Sequence, residues 1–402
     1  MLIHSRLLRK WLPTDSISIA ANDWPARSGQ TIPSLDGLRA GSVMLVLLGH
    51  LILPSSMIGI SALGLDVFFL VSGFLITRLF FAEASESGQL DLKAFYLRRI
   101  VRLYPVLLVY LAIVLTVQAA RGGDINAFEV TSVLFYFWNY LTAHQEIVGE
   151  SSILPIGVLW SLSVEEHFYL FAPLAFICFR GSPLAMLRAT LAVCAATLLL
   201  RYLYCFIWPG IEKTLWIYRH SETRADSIAF GAMVACLVQV ESYRYIIKIL
   251  ASRTAFLIGT IVLLSSYAIR DPYFQNTLRF TIQGLALIPM LCGVVFGQPF
   301  PALNYLLNQF IVRWIGQISY SLYVWHGGII FLFSSWVFQL PNFLSLFLQL
   351  ALTFVLAACS YYVVERPALK LRKLVTNSAS GDKTATAAPE LCDLTSRKSM
   401  AG

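Results

Sequence analysis

Long apolar runs alternate with short polar segments along most of this chain. Runs long enough for a helix of ~20 residues to span a bilayer fall at 37–57, 61–81, 100–119, 156–180, 186–207, 225–241, 253–269, 279–298, 315–337 and 344–365. A further run at 130–141 is too short to cross alone and indicates a re-entrant or interfacial segment. The pattern predicts an all-α, polytopic membrane bundle of about ten transmembrane helices.

Charges between the runs predict the orientation, because Lys and Arg are retained on the cytoplasmic side of a membrane. Alternate segments are basic: the N-terminus, Lys93 with Arg98, Arg99 and Arg102, Arg180 with Arg188, Arg244 with Lys248 and Arg253, Arg313, and Arg366 with Lys370, Arg372 and Lys373. The other segments are acidic or mixed: Asp124, Glu129, Glu146 and Glu150 with Arg121, a mixed loop around Glu212 to Arg224, and Arg270 with Asp271. We therefore expect both termini to be cytoplasmic, which requires an even number of spans.

Composition agrees with a membrane protein. Hydrophobic residues make up 57% of the chain and charged residues 13%, against roughly 25% charged in soluble domains. The net charge of +8 does not indicate nucleic-acid binding, because the basic residues flank apolar runs. Six of the seven cysteines lie in apolar runs without C-x-x-C spacing, which favours core packing over a disulfide framework or a zinc site.

The two ends differ from the apolar region. Residues 1–34 contain no sustained apolar core, so they predict a cytoplasmic segment without a cleavable signal peptide. Residues 374–402 are small and polar, which is typical of a disordered cytoplasmic tail. Residues 35–373 then form the transmembrane domain.

The first apolar run carries Arg39 and His50, which are eleven residues apart. That spacing is three helical turns plus about 20°, so both side chains share a helix face with a rise of about 16 Å. The orientation puts Arg39 at the cytoplasmic mouth and His50 beyond the midplane. Ionisable groups inside a membrane are often functional, but a snorkelling arginine and a hydrogen-bonded histidine explain the pair equally well.

"LWSLSVEEHFYLFAP" places Glu165 and Glu166 in another span, which we expect near the depth of His50. Adjacent helical residues point about 100° apart, so at most one glutamate faces a given partner. A carboxylate beside an imidazole raises its basicity and fixes its tautomer, as a general base requires. The alternative is a buried ion pair.

Two further motifs hold candidate chemistry. In "ISYSLYVWHGG", His326 is a second acid/base or a substrate contact, near Tyr320, or a histidine satisfied by neighbouring hydroxyls. In "SETRADSIAFG", Arg224 and Asp226 lie at a predicted outer mouth. There they bind a polar substrate or simply cap a helix.

Arg98, Arg99 and Arg102 form a basic cluster in "FYLRRIVRLYPV". Their spacing puts them on neighbouring helix positions, where three guanidinium groups could clamp a polyphosphate such as that of coenzyme A. Positive-inside anchoring and anionic lipid headgroups explain the same residues. No P-loop, G-x-S-x-G or H-E-x-x-H motif is present, so ATP hydrolysis, a serine-hydrolase triad and zinc chemistry lack their usual support.

Together these stretches resemble the membrane acyltransferase-3 family, which contains bacterial surface-polysaccharide O-acetyltransferases. The motifs that carry the resemblance occur in the family's order: "LDGLRA" with Arg39-x10-His50, "GLDVFFLVSGFLIT", "FYLRRIVRLYPV", "LWSLSVEEHFYL", "RADSIAFGA", "ISYSLYVWHG" and "YYVVERP". The resemblance implies transfer of an acyl group, usually acetyl from acetyl-CoA, to a saccharide hydroxyl such as that of an O-antigen or exopolysaccharide. It also implies a multi-pass protein of the bacterial cytoplasmic (inner) membrane.

The resemblance also implies residue roles. His50 is expected to be the catalytic base or acyl carrier and Arg39 its donor-side partner, while Glu165 and Glu166 match a paired acidic motif and Glu365 an acidic residue of the last span. Helix spacing and the resemblance together place the coenzyme A phosphates on Arg98, Arg99, Arg102 and Arg366. The residue patterns described above, and not the resemblance, make Arg224, Asp226 and Tyr320 candidates for substrate binding and His326 a candidate catalytic residue. The chain departs from the pattern at His167, where relatives often have Gln, and after His326, where proline is often found.

Two alternatives remain open. The acceptor could be a small secreted metabolite such as a macrolide instead of a surface or lipid-linked saccharide. A transporter or flippase would use the same intramembrane charges as a substrate path and would not consume acyl-CoA. In the acyltransferase hypothesis acyl-CoA is a substrate, membrane lipid surrounds the chain, and no tightly bound cofactor or metal is expected.

Overall fold

The computed structural model describes residues 32–52, 59–337 and 341–370, which form helices and no strand. In chain order the α-helices are α1 (Pro33–Leu47), α2 (Gly59–Ser87), α3 (Leu92–Ala120), α4 (Ala127–Leu134), α5 (Trp138–Val148), α6 (Trp160–Cys178), α7 (Pro183–Ile207), α8 (Trp216–Arg219), α9 (Ser221–Gln239), α10 (Arg244–Leu250), α11 (Arg253–Ala268), α12 (Pro272–Asn276), α13 (Leu278–Cys292), α14 (Pro301–Leu307), α15 (Phe310–Gln317), α16 (Ser319–Val337) and α17 (Asn342–Ser360). Single π-helical segments follow α1, α13 and α17 at Leu48–Ile52, Gly293–Gly297 and Tyr361–Glu365. The predicted all-α class is confirmed, whereas most of the predicted N-terminal segment and all of the predicted tail lie outside the described residues.

Five helices of the described part are long and apolar enough to cross a membrane: Gly59–Ser87, Leu92–Ala120, Pro183–Ile207, Leu278–Gly297 and Phe343–Lys370. A sixth is obtained if Ser221–Gln239 and Glu241–Leu250, which are bent by 108°, form one broken span. The other apolar runs form shorter or more polar helices, so the predicted count of about ten spans stays a prediction. The run at 130–141 folds into parts of α4 and α5.

Helix α9 lies at the centre of the bundle and packs most extensively against α2 and α7. Two glycines allow its contact with α2. A Cβ on Gly231 would lie 1.9 Å from the Leu70 carbonyl oxygen, and a Cβ on Gly73 would lie 2.0 Å from the Ile228 carbonyl oxygen. Small residues at such crossings let helix backbones approach closely in membrane bundles.

Two interhelical ion pairs tie α9 to its neighbours. Arg224 donates to Asp66 on α2, and Arg201 on α7 donates to Asp226 over 2.5 Å. Arg224 and Asp226 are both fully buried, so the placement of this pair at an outer mouth for substrate is wrong. A charge inside a bundle requires an opposite partner, and each of these residues finds it on another helix.

Candidate functional site

Two cavities lie between the helices. The first, which we call the Glu165 cavity, has a volume of about 330 Å³ and is lined chiefly by Asp36, Arg39, Phe68, Ser72, Arg78, Arg99, Arg102, Glu165, Tyr169 and Tyr320. The second, the His50 cavity, has a volume of about 630 Å³ and is lined chiefly by His50, Ser61, Leu65, Trp160, Lys213, Tyr218, Arg219, Tyr267, Arg270, Gln275, Asn276, Arg279 and Tyr323. Both volumes fall in the range of small-molecule sites.

The same four helices line both cavities. Along α2, Ser61 and Leu65 line the His50 cavity, and Phe68 and Ser72 continue the same face into the Glu165 cavity. Helices α1, α6 and α16 likewise contribute residues to each. The cavities therefore follow one another along this helix group.

Two aromatic rings meet where the cavities adjoin. Phe68 lines the Glu165 cavity and Tyr323 the His50 cavity, and their rings stack with centroids 6.5 Å apart at 13°. The Arg39 guanidinium lies 5.8 Å from the centroid of the Phe68 ring. Arg39 thus reaches the junction from one side, and His50 occupies the other cavity at the far end of α1.

His50 lies in the π-helical segment after α1, a local geometry that is frequent at functional sites. Its Nδ1 is 3.1 Å from the Val46 carbonyl oxygen. Because a carbonyl only accepts, Nδ1 carries the proton in this bond and Nε2 keeps its lone pair. The His50 side chain is exposed and its ring belongs to the cavity wall, so Nε2 can serve as a base.

His326 adjoins His50 from α16. The ring centroids are 5.2 Å apart with an interplanar angle of 39°. The Nδ1 of His326 donates to the Tyr323 carbonyl oxygen over 2.6 Å. This histidine is buried, and its Nε2 has no hydrogen-bond partner among the described residues.

Glu165 does not lie beside His50, as the sequence interpretation expected. Its carboxylate lines the other cavity, where it contacts the Ser72 hydroxyl and lies near Arg39, Arg99 and Arg102. The physical reason is the position of α6 along the bundle. Its first residue, Trp160, lines the His50 cavity. Glu165 lies five residues later, about 7.5 Å further along the helix axis, and therefore lines the Glu165 cavity instead. Of the two residues of the Arg39-x10-His50 motif, Glu165 therefore lies near Arg39.

The neighbours of Glu165 on α6 face elsewhere. Glu166 lies near Arg99 but lines neither cavity. The Nδ1 of His167 is 2.6 Å from the Ser221 hydroxyl, and the His167 ring stacks on Tyr140 with centroids 5.8 Å apart. The unusual histidine of the "VEEH" motif therefore joins a polar contact between helices.

The predicted arginine cluster is divided. Arg99 and Arg102 line the Glu165 cavity, with Arg99 4.8 Å from the centroid of the Tyr169 ring. Arg98 instead pairs with Glu83 at 2.6 Å on another side of α3, because consecutive helical side chains point about 100° apart. Arg366 is exposed and lies over the Tyr362 ring at 5.7 Å. Arg98 and Arg366 do not line the Glu165 cavity beside Arg99 and Arg102, so a phosphate site shared by all four arginines stays a prediction.

Three further side chains surround the Glu165 cavity. Tyr320 lines it and donates its hydroxyl to the Leu103 carbonyl oxygen over 2.8 Å. Glu365 is buried, accepts from Ser321 over 2.8 Å, and lies near Arg39 and Arg102. Arg78 also lines this cavity and was missed by sequence reasoning. The sequence signal that could have identified Arg78 is its helical spacing from Ser72 and Leu75, which puts the three residues on one face of α2.

Sequence reasoning also missed the basic wall of the His50 cavity. This wall, which we call the cationic wall, consists of Lys213, Arg219, Arg270 and Arg279. Arg219 donates to the Thr142 carbonyl and hydroxyl oxygens over 3.0 and 2.8 Å. Burial lowers the pKa of Arg219, and the Glu146 carboxylate opposes that shift. The available signal was the basic content of loops predicted to face outward.

Comparison with known proteins gives the family to which the chain is similar. A family model described as an acyltransferase domain, of the acyltransferase-3 type, matches residues 32–364. The chain is 29% identical over 363 residues to the peptidoglycan O-acetyltransferase OatA of Listeria monocytogenes, covering 85% of this chain and 56% of the relative. It is also 29% identical over 363 residues to the O-acetyltransferase OatA of Staphylococcus aureus, covering 85% of this chain and 58% of the relative. The chain thus spans somewhat more than half the length of these curated relatives, and no solved structure matches it.

Proposed function

This chain belongs to the membrane acyltransferase-3 family, and we propose that it is an O-acetyltransferase that moves acetyl from acetyl-CoA to a hydroxyl of a cell-surface or secreted saccharide. The observation that carries the proposal is the pair of adjoining cavities on four shared helices. One is lined by arginines, and the other by an imidazole whose Nδ1 bonds a backbone carbonyl and whose Nε2 has no hydrogen-bond partner among the described residues. A relative named for O-acetylation of peptidoglycan supports a saccharide as acceptor.

The Glu165 cavity opens toward the cytoplasm in this proposal, and the His50 cavity toward the outer face of a bacterial cytoplasmic membrane. The basic loop pattern supports this orientation, with both termini inside. About ten spans then cross the membrane. A shorter helix either joins a neighbouring helix to complete one span or is surrounded by other helices of the bundle.

The donor binds through Arg99 and Arg102. Guanidinium groups bind phosphate oxygens through paired N–H donors, and these two lie within one helical turn on α3. A volume of about 330 Å³ suits the thioester arm of coenzyme A better than the whole molecule. The nucleotide therefore stays at the mouth, while the arm extends past Arg39 toward the Phe68 and Tyr323 rings.

His50 performs the transfer in the second cavity. Its Nε2 removes the proton of the acceptor hydroxyl as that oxygen attacks the thioester carbonyl. The carbon–sulfur bond breaks, the ester carbon–oxygen bond forms, and the proton passes to the leaving thiolate of coenzyme A. In a two-step route the same Nε2 first takes the acetyl group, and acetyl label retained on the protein without acceptor would identify that route.

The test uses the full chain in lipid nanodiscs with acetyl-labelled acetyl-CoA and surface saccharide from a deletion strain. The proposal predicts label on the saccharide and release of an equal amount of free coenzyme A. Movement of saccharide across a vesicle membrane with no consumption of acetyl-CoA would instead support a transporter and contradict the proposal. Label recovered only on a secreted metabolite would move the acceptor to that class.

A further inference from the structure

The cationic wall gives the His50 cavity a charge imbalance. Four cationic side chains line the cavity, whereas none of the described residues that line it is Asp or Glu. The Glu165 cavity differs, because Asp36 and Glu165 accompany its arginines. A cavity with one sign of charge and low-dielectric walls concentrates ligands of the opposite sign.

The ion pairs of the described residues do not neutralise this wall. Those pairs join Arg98 to Glu83, Arg201 to Asp226, His220 to Glu222 and Arg224 to Asp66. None includes a residue of the cationic wall. No residue of the cationic wall is therefore held in an ion pair within the described part of the chain.

Two acidic groups near the cationic wall are already engaged with other partners. The Glu146 carboxylate interacts electrostatically with Arg219, but its Oε2 also accepts a hydrogen bond from the Leu215 backbone N–H over 2.9 Å. The Asp66 carboxylate interacts electrostatically with Arg279, but it forms its ion pair with Arg224. Arg279 itself lies over the rings of Tyr267 and Phe280, 5.8 and 5.5 Å from their centroids.

Membrane topology does not account for the wall. Lys213, Arg219 and Arg270 belong to loops on the predicted outer side, where the positive-inside rule disfavours basic residues. Arg279 begins the span that follows. Basic residues at this place therefore need another reason, and a negatively charged ligand supplies one.

The rest of the lining suits a sugar. Trp160, Tyr218 and Tyr267 offer aromatic faces, and Gln275 and Asn276 offer amide groups beside the cationic residues. Orienting polar groups on an otherwise aromatic surface are the usual composition of small-molecule sites. Apolar ring faces can cover the carbon–hydrogen face of a pyranose, while the amides bond its hydroxyls.

We propose that the acceptor is an anionic saccharide whose carboxylate or phosphate binds Lys213, Arg219, Arg270 and Arg279, with its reacting hydroxyl directed to His50. This inference rests on the proposed acetyl transfer and specifies its acceptor class. The bound anion holds the sugar at the end of the cavity that is lined by Lys213, Arg219 and Arg270. Neutral saccharides lack that contact and bind weakly.

Binding is measured by titration calorimetry on the full chain in nanodiscs, which requires no catalysis. The probes are digalacturonate, its uncharged counterpart galactobiose, and inorganic diphosphate, all titrated in the presence of saturating coenzyme A so that Arg99 and Arg102 are already occupied. We expect digalacturonate or diphosphate to bind at least tenfold more tightly than galactobiose, and the stronger of the two identifies the anion as carboxylate or phosphate. If neither anion binds more tightly than galactobiose, the inference is overturned.

Substitutions assign the effect to the wall. Lys213→Gln with Arg279→Gln should weaken binding of the preferred anion at least tenfold and leave galactobiose binding within twofold. The matched control is Arg253→Gln, since Arg253 lies over the Phe300 ring at 4.9 Å and lines neither cavity. Equal losses for anion and galactobiose, or an equal effect of the control, would overturn the inference. Anion binding without any acetyl transfer would instead count against the proposed function alone.

Discussion

The imidazole rings of His50 and His326 lie 5.2 Å apart between centroids, and each Nδ1 bonds a backbone carbonyl of its own helix. Both rings therefore present Nε2 as the nitrogen without a proton. His50 lines a cavity, whereas His326 is buried behind it. We therefore propose that His326, which was predicted to be catalytic, acts by packing against the His50 ring and keeping it in one orientation.

Replacing His326 should slow the chemical step. We expect His326→Ala to lower kcat for acetyl transfer about tenfold to a hundredfold, because an unconstrained His50 ring is less often aligned for proton transfer. The KM for acetyl-CoA should stay within twofold, since the donor arginines line the other cavity. The matched control is His144→Ala, an exposed histidine on α5; equal rates for both variants would refute the positioning role.

The four arginines predicted to bind coenzyme A should separate into two classes. Arg99→Gln and Arg102→Gln should each raise the KM for acetyl-CoA about tenfold or more, because a charge-assisted hydrogen bond contributes roughly 1.5–3 kcal/mol. Arg98→Gln and Arg366→Gln should change it less than twofold, since Arg98 is paired with Glu83 and Arg366 is exposed. Steady-state kinetics at saturating acceptor measure this; a larger effect at Arg98 than at Arg102 would contradict the donor site.

The α2–α9 crossing should not tolerate a methyl group. Gly231→Ala places Cβ 1.9 Å from a backbone oxygen of α2, and such overpacking costs about 1–3 kcal/mol or more. A lower thermal midpoint is expected, measured with a thiol-reactive dye that reports exposure of the buried Cys236 and Cys292. Gly41→Ala is the control, because a Cβ there meets nothing within 4 Å and alanine favours a helix. Equal midpoints for the two variants would contradict the close crossing.

Sequence periodicity predicted the helical class and placed Arg39 and His50 toward opposite ends of one apolar run, although His50 lies in the π segment that follows α1. Both follow from local properties, since apolar composition and residue spacing along one helix need no knowledge of neighbouring helices. The helix boundaries were less accessible, because π segments and short helices interrupt the apolar runs without a change in hydropathy.

Contacts between helices could not be predicted from apolar composition and residue spacing. Glu165 was expected beside His50, but the axial position of α6 relative to α1 decides its partner and brings it to Arg39. Arg224 and Asp226 were expected at the outer mouth of a span, but they are buried in pairs with Asp66 and Arg201, which come from other helices. Such pairings depend on how helices pack, which a single helix's pattern does not contain.

The most direct test of the account is the rate of acetyl transfer by His50→Ala, measured as labelled ester on the native saccharide by full chains in nanodiscs. The variant should keep the thermal midpoint of the wild type and a KM for acetyl-CoA within twofold, because His50 is exposed and lines the other cavity. Its kcat should fall at least about a hundredfold, as expected for loss of a general base or nucleophile. A variant that transfers acetyl at the wild-type rate would contradict the central claim.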